Sequence, residues 1–385
     1  MRWFIPVFLM VFLFMHLYVY LRFFHIVLKS KGVKTLWAFV IFLGFISPFL
    51  WRYADHNWSP KLTYYIAFIG LLWMGFLLYL LLTILIFDVY KAFVFLSKKL
   101  FHINPLPTPS NKSLVFLVLV PSFSLSAYSY YETLNLKVER ISIYTEKVPQ
   151  NIKILHISDL HLGPVMGMDK IKLVLEVYKR EKPHMVISTG DLVDGNMKDK
   201  DHLAQALAQI NPPLGKYAVL GNHEYYRGIK QALDFTQRAG FKLLRGQTVY
   251  IKEYNLSLVG IEDDDCRFFK ACVGSLSDKE VLQGANKESF VIYLKHKPRL
   301  EKGTEEFFDL MLSGHTHGGV YYPVGRFILT RLFISDRGLH KMNNSYIYIS
   351  KGVGTGGPPM RLFSQPDVAV IEILNPAQNL HRPAQ

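Results

Sequence analysis

The chain has 385 residues, half of them apolar, and a formal net charge of +14. This length fits two or three units of about 100–200 residues each. Much of the charge lies in residues 1–131, which contain 11 Lys or Arg but only 2 Asp or Glu. Because the same part holds nearly all the long apolar runs, the basic excess is typical of membrane flanks. This distribution of charge excludes a nucleic-acid-binding surface, and we expect no nucleic-acid partner.

Four apolar stretches approach the roughly 20 residues that a membrane-spanning helix needs. They cover residues 3–21, 35–51, 62–87 and 113–131, and the last is the weakest because Pro121 and several serines interrupt it. A cleaved signal peptide is disfavoured for the first stretch, because no small-residue cleavage site follows and three more stretches come after it. Residues 1–131 are therefore predicted to form a transmembrane region of about four helices.

Lys and Arg in the short loops predict the orientation in the membrane. The loops after the first and third stretches carry eight such residues: Arg22, Lys29, Lys31, Lys34, Lys91, Lys98, Lys99 and Lys112. The opposite side carries six: Arg2, Arg52, Lys61, Lys137, Arg140 and Lys147. This bias places both termini, and everything after the fourth stretch, on the outer face. If the fourth stretch does not span, the C-terminal part lies inside instead.

From about residue 137, short apolar runs alternate with amphipathic stretches. The pattern predicts strands at 153–158, 185–189 and 216–220, followed in turn by helices at 168–180, 201–210 and 228–239. Later strand-like runs cover 256–260, 290–295, 346–350 and 368–373. Strands that alternate with helices predict an α/β layered fold. We place a linker at 132–150, the α/β domain at 151–375 and a C-terminal tail at 376–385.

Five short segments rich in Asp, Asn and His each follow a strand-like run. They are Asp159-Leu-His161, Gly190-Asp191-Leu-Val-Asp194, Gly221-Asn222-His223-Glu224, His296, and Gly314-His315-Thr-His317-Gly-Gly319. Ligands of α/β sheets bind beyond the carboxyl ends of the strands, so these segments are expected to meet at one site. Each segment alone is common by chance, but the ordered set of five is not.

The residue types of this set indicate a metal site. Carboxylate, amide oxygen and imidazole suit Mn, Fe, Zn and related divalent ions, and no thiolate is offered. Two such ions about 3.5–4 Å apart hold both the attacking and the leaving oxygen of a phosphoryl displacement. A carboxylate whose two oxygens point to different ions would join them, and Asp191 is the best candidate. The neighbouring glycines allow a sharp turn and a close approach of the backbone.

The ordered set resembles the calcineurin-like metallophosphoesterases, in the membrane-tethered bacterial subgroup with the Gly-His-Thr-His-Gly-Gly signature. The likeness covers about residues 153–373 and implies a four-layer αββα sandwich with two divalent ions, Mn, Fe or Zn. The resemblance assigns three ligands to each ion and one bridge between them: Asp159, His161 and His317; Asn222, His296 and His315; and Asp191. His223 resembles the histidine that protonates the leaving group, and Asp194 the acid that orients it.

The resemblance implies a metal-dependent hydrolase of the bacterial inner membrane that cleaves a phosphoester or pyrophosphate bond at the membrane surface. Its partners would be membrane lipid and a phosphorylated substrate, with a lipid-linked one among the candidates. Some relatives cleave UDP-2,3-diacylglucosamine in lipid A synthesis, which needs the cytoplasmic face, and others are general phosphodiesterases. The alternative of another class is a non-enzymatic receptor or scaffold on the same fold. That class would lack ligands, and no ligand position is missing.

Several further residues have two interpretations. Lys295 is either a phosphate contact or a solvated strand end, and Arg361, after a Gly-rich loop that lacks a following helix, is either a phosphate contact or structural. The acidic run 262–265 lacks the spaced ligands of a calcium loop and is predicted to be a solvated turn. Cys266 and Cys272 form a disulfide or remain two thiols. Six aromatic residues near the motifs either receive an apolar group or simply pack: Tyr225, Tyr226, Phe268, Phe269, Tyr321 and Tyr322.

Overall fold

The computed structural model describes residues 4–26, 30–101, 107–274 and 277–379, and Lys29 lies outside these ranges. The chain divides into two compact units. The first, here called the helical unit, comprises residues 1–131 and 357–360. The second, here called the α/β unit, comprises residues 132–356 and 361–385.

The helical unit is built from four long helices, α1 (Phe4–Ile26), α2 (Lys31–Asn57), α3 (Pro60–Phe101) and α4 (Asn111–Leu134). Each is long and apolar enough to cross a membrane, as predicted, and the chain is membrane-associated. α3 has 42 residues and continues well beyond the predicted span, ending with Lys98 and Lys99, whose charges complement the carbonyl end of a helix. Arg22 was predicted in a loop but lies in α1, where it pairs with Asp88 of α3.

The first sheet of the α/β unit has six strands in the order β1-β12-β2-β3-β4-β5. Their bounds are Lys137–Tyr144 for β1, Ile152–Ile157 for β2, Met185–Ser188 for β3, Lys216–Ala218 for β4, Lys242–Leu243 for β5 and Asp367–Leu374 for β12. β2 to β5 run parallel, β12 is antiparallel to β2, and β1 is parallel to β12. The carboxyl ends of β2, β3 and β4 therefore share one edge of this sheet.

The second sheet also has six strands, in the order β10-β11-β9-β8-β7-β6. Their bounds are Gln247–Ile251 for β6, Leu256–Gly260 for β7, Phe290–Leu294 for β8, Leu310–Ser313 for β9, Gly338–Met342 for β10 and Ser345–Ile349 for β11. The central strands β7, β8, β9 and β11 are parallel, and the two outer strands are antiparallel to their neighbours. This arrangement places the ends of β8 and β9 side by side.

Seven shorter helices accompany the two sheets. They are α5 (Met168–Glu181), α6 (Asp201–Ala208), α7 (Asn222–Arg227), α8 (Ile229–Arg238), α9 (Asp278–Leu282), α10 (Val324–Leu329) and α11 (Pro376–Asn379), the last within the predicted C-terminal tail. The three helices α5, α6 and α8 present an apolar face to the first sheet, and α9 lies on the outer side of the second.

Alternation along the strands builds three apolar layers, because successive side chains of a strand point to opposite faces. On β2, Leu155 joins a core with Val174 of α5, whereas Ile154 joins a second core with Leu258 of β7. The next residue of β7, Val259, belongs to a third core that includes α9. Two sheets thus face each other with helices on both outer sides, and the predicted four-layer fold is confirmed.

The prediction that residues 132–150 form only a linker is wrong. They contain β1, whose eight residues pair in register with β12, from Lys137 opposite Asp367 to Tyr144 opposite Leu374. Ile141 and Ile143 are buried in the core between the two sheets. Local spacing does not reveal this pairing, because the partner strand lies about 230 residues further along the chain.

Candidate metal centre and its surroundings

The first group of ligand atoms comes from the loops after β2 and β9. Asp159, His161 and His317 each offer one atom, and the three atoms lie within 4.8 Å of one another. The two Nε2 atoms of His161 and His317 are 3.0 Å apart, and Asp159 Oδ1 lies 3.8 Å and 3.6 Å from them. The predicted ligands of one ion are therefore brought together.

The second group forms where β3, β4, β8 and β9 end. His296 Nε2 lies 3.0 Å from Asn222 Oδ1, 3.1 Å from His315 Nδ1 and 3.2 Å from Asp191 Oδ2. On the other side of its ring, His296 Nδ1 is 2.8 Å from the carbonyl oxygen of Thr189. Because a carbonyl only accepts, Nδ1 carries the proton, and the lone pair of Nε2 is left for an ion.

Asp191 connects the two groups through one oxygen. Its Oδ2 lies 3.2 Å from His296 Nε2 and 3.7 Å from His161 Nε2. Its Oδ1 accepts a hydrogen bond of 2.8 Å from the backbone N–H of His223. The expectation that each oxygen points to a different ion is therefore wrong: the backbone of α7 occupies Oδ1, and Oδ2 alone faces both groups.

The backbone at these ligands is held in an uncommon conformation. Five of the seven predicted ligands have a positive φ: Asp159 at 52°, His161 at 51°, Asp191 at 50°, His315 at 71° and His317 at 50°. A non-glycine residue in this region costs on the order of 1–3 kcal/mol, and such residues persist only where the surrounding fold holds them. The strain is thus concentrated on the side chains that converge.

Two glycines show how closely the loops approach the ligands. A Cβ on Gly221 would lie 2.2 Å from Asp191 Oδ1, and a Cβ on Gly314 would lie 2.2 Å from Asp159 Oδ2. No side chain fits at either position without moving a carboxylate. These contacts explain the glycines that stand directly before Asn222 and His315.

The residues fit a pair of divalent ions. Imidazole nitrogens only about 3 Å apart, facing carboxylate and amide oxygens, place lone pairs around two common points. Nitrogen and oxygen ligands without thiolate suit Mn, Fe or Zn. The side chains of His161 and His296 are fully buried, so they lie in the positions that a protein-enclosed metal centre requires.

Comparisons with known proteins agree with this geometry. The profile of the calcineurin-like phosphoesterases matches residues 152–319. An uncharacterized metallophosphoesterase of Aquifex aeolicus is 52% identical over 252 residues, which is 65% of this chain and 96% of the relative. The chain belongs to the metallophosphoesterase family. It is a metal-dependent phosphoester hydrolase by membership, and divalent ions are its implied cofactors.

Two further comparisons concern more distant proteins. A transmembrane protein with metallophosphoesterase domain from Danio rerio is 28% identical over 250 residues, covering 61% of this metallophosphoesterase and 56% of the relative. Among solved structures, a dimetal phosphatase from Danio rerio gives a TM-score of 0.34 at 13% identity, covering 53% of this chain and 89% of that one.

His223 is not one of the seven predicted ligands of the metallophosphoesterase, but it lies beside them and forms a third cluster of possible ligand atoms with His161 and Asp194. Its Nδ1 is 2.8 Å from Asp194 Oδ1, and Asp194 Oδ2 is 3.4 Å from His161 Nδ1. Burial opposes a charged ring, but the carboxylates of Asp194 and Asp191 outweigh it and raise the pKa of His223 to about 10. The ring therefore carries a proton at neutral pH, with Asp194 fixing its orientation.

Two residues support this arrangement, of which Arg227 was not singled out from the sequence. Arg227, four residues after His223 on α7, donates from Nε to Asp194 Oδ1 at 2.6 Å. Glu224 is buried and accepts hydrogen bonds from four backbone N–H groups, those of Gly221 and of three successive residues from Asp191 to Val193. The Glu three residues after the N-cap of α7 was the available signal for Glu224, because a side chain there accepts from the N-cap N–H, as Glu224 does from Gly221 at 2.7 Å.

Lys295 and Arg361 do not face the site as substrate contacts. Lys295 is 7% exposed, and its Nζ donates to both carboxylate oxygens of Asp278, at 2.6 Å and 2.8 Å. Arg361 is fully buried and donates to the carbonyl oxygens of Lys351 and Gly352. Its Nη2 also lies 2.8 Å from His317 Nδ1. Arg361 is therefore a positioning residue behind a ligand, which is its structural interpretation, whereas the buried Lys295 is neither a phosphate contact nor a solvated strand end.

The acidic run 262–265 is not a solvated turn, because its first two side chains are buried. Arg245 donates from Nε to Glu262 at 2.6 Å, and Lys297 donates from Nζ to Asp263 at 2.7 Å. Each carboxylate has a cationic partner, which is what allows a charge to be buried. The sequence did not reveal these partners, since they lie 17 and 34 residues away.

An aromatic row begins at His223. The ring of Tyr226 lies 5.4 Å from that of His223 and 5.8 Å from that of Phe269. Phe268 and Phe269 are partly exposed on a loop that the Cys266–Cys272 disulfide closes. Tyr225, by contrast, is buried and bonded to Glu262, so it belongs to the core. Tyr226 and Phe269 are thus the predicted aromatic candidates that remain near the proton donor.

Proposed function

We propose that the chain hydrolyses a phosphodiester or pyrophosphate bond at the membrane surface, using a dinuclear centre ligated by the seven predicted residues. The observation that carries the proposal is Asp191 Oδ2, which faces His296 in one group of ligand atoms and His161 in the other. A single oxygen between two ligand sets is the arrangement that joins two ions into one centre. Divalent ions held there supply a water of lowered pKa and stabilise negative charge on the phosphoryl oxygens.

The remaining chemistry belongs to side chains of this chain. His223, protonated and held by Asp194, gives its proton to the leaving-group oxygen, a step typically worth about 10²–10⁴ in rate. Arg227 fixes Asp194 from the other side. The carbonyl oxygen of Thr189 keeps His296 in the tautomer that exposes Nε2. Cys266 and Cys272 are joined and offer no thiolate, and the hydroxyl of Ser158 donates to Asp159 Oδ2 at 2.5 Å, so we propose direct hydrolysis.

The substrate we favour is a lipid-linked phosphodiester. Four membrane-spanning candidates keep the α/β unit at a bilayer. Tyr226 and the exposed Phe269 lie next to the proposed proton donor, on the side where a leaving group must stand. An apolar leaving group would gain contact area on these rings. A UDP-2,3-diacylglucosamine pyrophosphatase activity is the second candidate, since its substrate is also amphiphilic.

We place the α/β unit on the outer face of the bacterial inner membrane. The loop charges favour this orientation, with eight Lys or Arg against six. The disulfide between Cys266 and Cys272 also favours it, because disulfides persist mainly in oxidising compartments. A nucleotide-linked lipid precursor held at the inner leaflet would not reach a site on this face.

The activity is tested with the full chain purified in detergent and supplied with Mn, Fe or Zn. We expect about two ions per chain by elemental analysis, and hydrolysis of phosphodiesters ahead of monoesters and nucleotide-sugar pyrophosphates. Asp191→Asn, matched in shape, is the inactive control. A folded chain that never binds metal would refute the enzymatic function and favour a receptor or scaffold, whereas preference for UDP-diacylglucosamine would select the second candidate.

The side of the membrane is tested separately with reporters fused to the C-terminus. Alkaline phosphatase is active only outside the cytoplasm, and green fluorescent protein exported through the general secretory route fluoresces only inside. We expect alkaline phosphatase activity without fluorescence. The reverse result would place the α/β unit in the cytoplasm and raise the pyrophosphatase above the diesterase.

A further inference from the structure

Residues 322–333, here called the Phe327 segment, expose a run of large apolar side chains. Val324 is 59% exposed, Phe327 65%, Ile328 52% and Leu332 53%. Nowhere else among the described residues of the α/β unit do four such side chains lie within nine positions. Apolar side chains exposed singly are normal, but a contiguous group indicates a binding surface.

The charges of the Phe327 segment are all positive. It contains Arg326 and Arg331 and no acidic residue. The guanidinium of Arg331 lies 3.5 Å from the ring centroid of Phe327, and the side chain of Arg326 is 54% exposed. The nearest acid in sequence, Asp336, is buried; it pairs with Arg337 at 3.0 Å, and Nε of Arg326 lies 3.8 Å from its other oxygen. Apolar side chains between exposed arginines match a bilayer surface with anionic headgroups, where each basic residue contributes about 1 kcal/mol.

The helix of the segment is suited to lie in an interface and not to cross a membrane. α10 has six residues, against about 20 for a span. Interfacial segments combine an apolar face with Arg or Lys along its border, because the apolar side chains enter the headgroup region while the cations remain at the phosphates. Phe327 and Arg331, stacked on each other, have this combination in adjacent turns.

The segment adjoins the point where the α/β unit begins. The backbone N–H of Tyr322 donates to Leu362 at 3.0 Å. The next residue, Phe363, is 57% exposed and donates its backbone N–H to the Glu132 carboxylate at 2.6 Å. Glu132 is the first residue of the α/β unit, and the last candidate span ends two residues later, at Leu134. The Phe327 segment is thus linked, through Leu362 and Phe363, to the first residue of the α/β unit.

The Phe327 segment is also close to a proposed metal ligand at each of its ends. It starts five residues after His317, and Phe333 at its end packs against His315 with ring centroids 5.2 Å apart. The guanidinium carbon of Arg299 lies 4.6 Å from the centroid of the same Phe333 ring. A surface that binds the segment would therefore lie next to the two proposed metal positions.

We propose that the Phe327 segment docks the α/β unit onto a bilayer that contains anionic phospholipid, so that the metal centre meets substrates at the headgroup level. The docking rests on the proposed action at a membrane surface, but the contact itself needs no turnover. It assigns Phe327, Ile328 and Leu332 to the acyl boundary, and Arg326 and Arg331 to the lipid phosphates.

The experiment uses the full chain in lipid nanodiscs. Because the native cysteines are paired, one new cysteine is introduced in each variant, Phe327→Cys or Ile328→Cys, and labelled with an environment-sensitive nitrobenzoxadiazole probe. The matched control is Tyr250→Cys, which is 45% exposed and lies in β6, at the opposite edge of the second sheet from β10. Discs contain phosphatidylcholine alone or with phosphatidylglycerol, and a doxyl group on the lipid chain serves as quencher.

In discs that contain phosphatidylglycerol, we expect the probes at 327 and 328 to emit at shorter wavelength than the probe at 250 and to be quenched at least about twofold more. In discs of phosphatidylcholine alone, we expect the quenching of the probes at 327 and 328 to be weaker. Quenching equal to the control, as a protein-docking surface would give, overturns the proposal. Equal quenching in both lipids overturns its anionic part. The readout needs neither metal nor hydrolysis, so a failure of the proposed function is recognised separately, by metal analysis and turnover.

Discussion

A single methyl group at Gly221 should displace the carboxylate that joins the two ligand groups. The backbone there has φ −100° and ψ −173°, which alanine also adopts, so Gly221→Ala tests contact and not backbone strain. The added Cβ would meet Asp191 Oδ1 at 2.2 Å, whereas ordinary contact begins at 3.4 Å, so the two atoms must separate by about 1.2 Å. Misplacement by about 1 Å costs on the order of 10² in rate, and we expect a loss of at least that size.

The assay for this prediction is kcat/KM on a phosphodiester, with metal content and melting temperature measured on the same full-length preparation. Gly357→Ala is the matched control, because its Cβ would meet nothing within 4 Å. We expect Gly221→Ala to remain folded, to bind less metal and to lose turnover, while the control keeps all three properties. Wild-type activity and metal content in Gly221→Ala would show that Asp191 does not need its present position.

Four other variants test separate parts of the structure. Asp191→Asn should abolish activity and reduce metal at both positions, whereas Asp159→Asn should affect chiefly one and recover at high metal; equal, mild losses of metal would contradict the shared oxygen. His223→Ala should keep its metal but lose about 10²–10⁴ in turnover, less with a nitrophenol leaving group that needs no proton, and loss of metal would make His223 a ligand. Burial lowers the pKa of Lys216 from an ordinary 10.5 to about 8. The unfolded chain therefore binds more protons between these values, and the melting temperature should rise with pH across that window. Lys216→Met should show a smaller rise, and an unchanged slope would mean that another group titrates there.

The convergence of the proposed metal ligands was predictable because each follows a strand whose apolar run is visible in the sequence. Asp159 follows β2, Asp191 follows β3 and His296 follows β8, all in parallel parts of the sheets. Parallel strands bring their carboxyl ends to one edge, so the positions in sequence translate directly into proximity. The bridging geometry was not predictable, since the choice of oxygen depends on the N–H of His223, which α7 alone positions.

Lys295 was predicted wrongly, and the two interpretations of Arg361 stayed open, because their partners cannot be read from local spacing. Lys295 looks like an exposed cation until Asp278, 17 residues earlier, is placed against it. Arg361 looks like a phosphate contact until the carbonyl oxygens of a Gly-rich loop enclose it. A charge in a sequence is assigned to solvent or to function by default, because local spacing carries no information about a buried counter-charge.

The positive φ angles at the ligands also constrain how this protein changes over evolution. Outside glycine, Asp, Asn and His are the residues several-fold enriched in the left-handed region, and β-branched or bulky residues are outliers there. Asp159, Asp191 and His315 therefore satisfy a steric requirement as well as a chemical one. A lineage that ceased to need the metals would still be held at these positions to Asp, Asn, His or Gly. Neutral substitutions at these positions would exchange only these four residue types, so a descendant could regain the ligands by single substitutions.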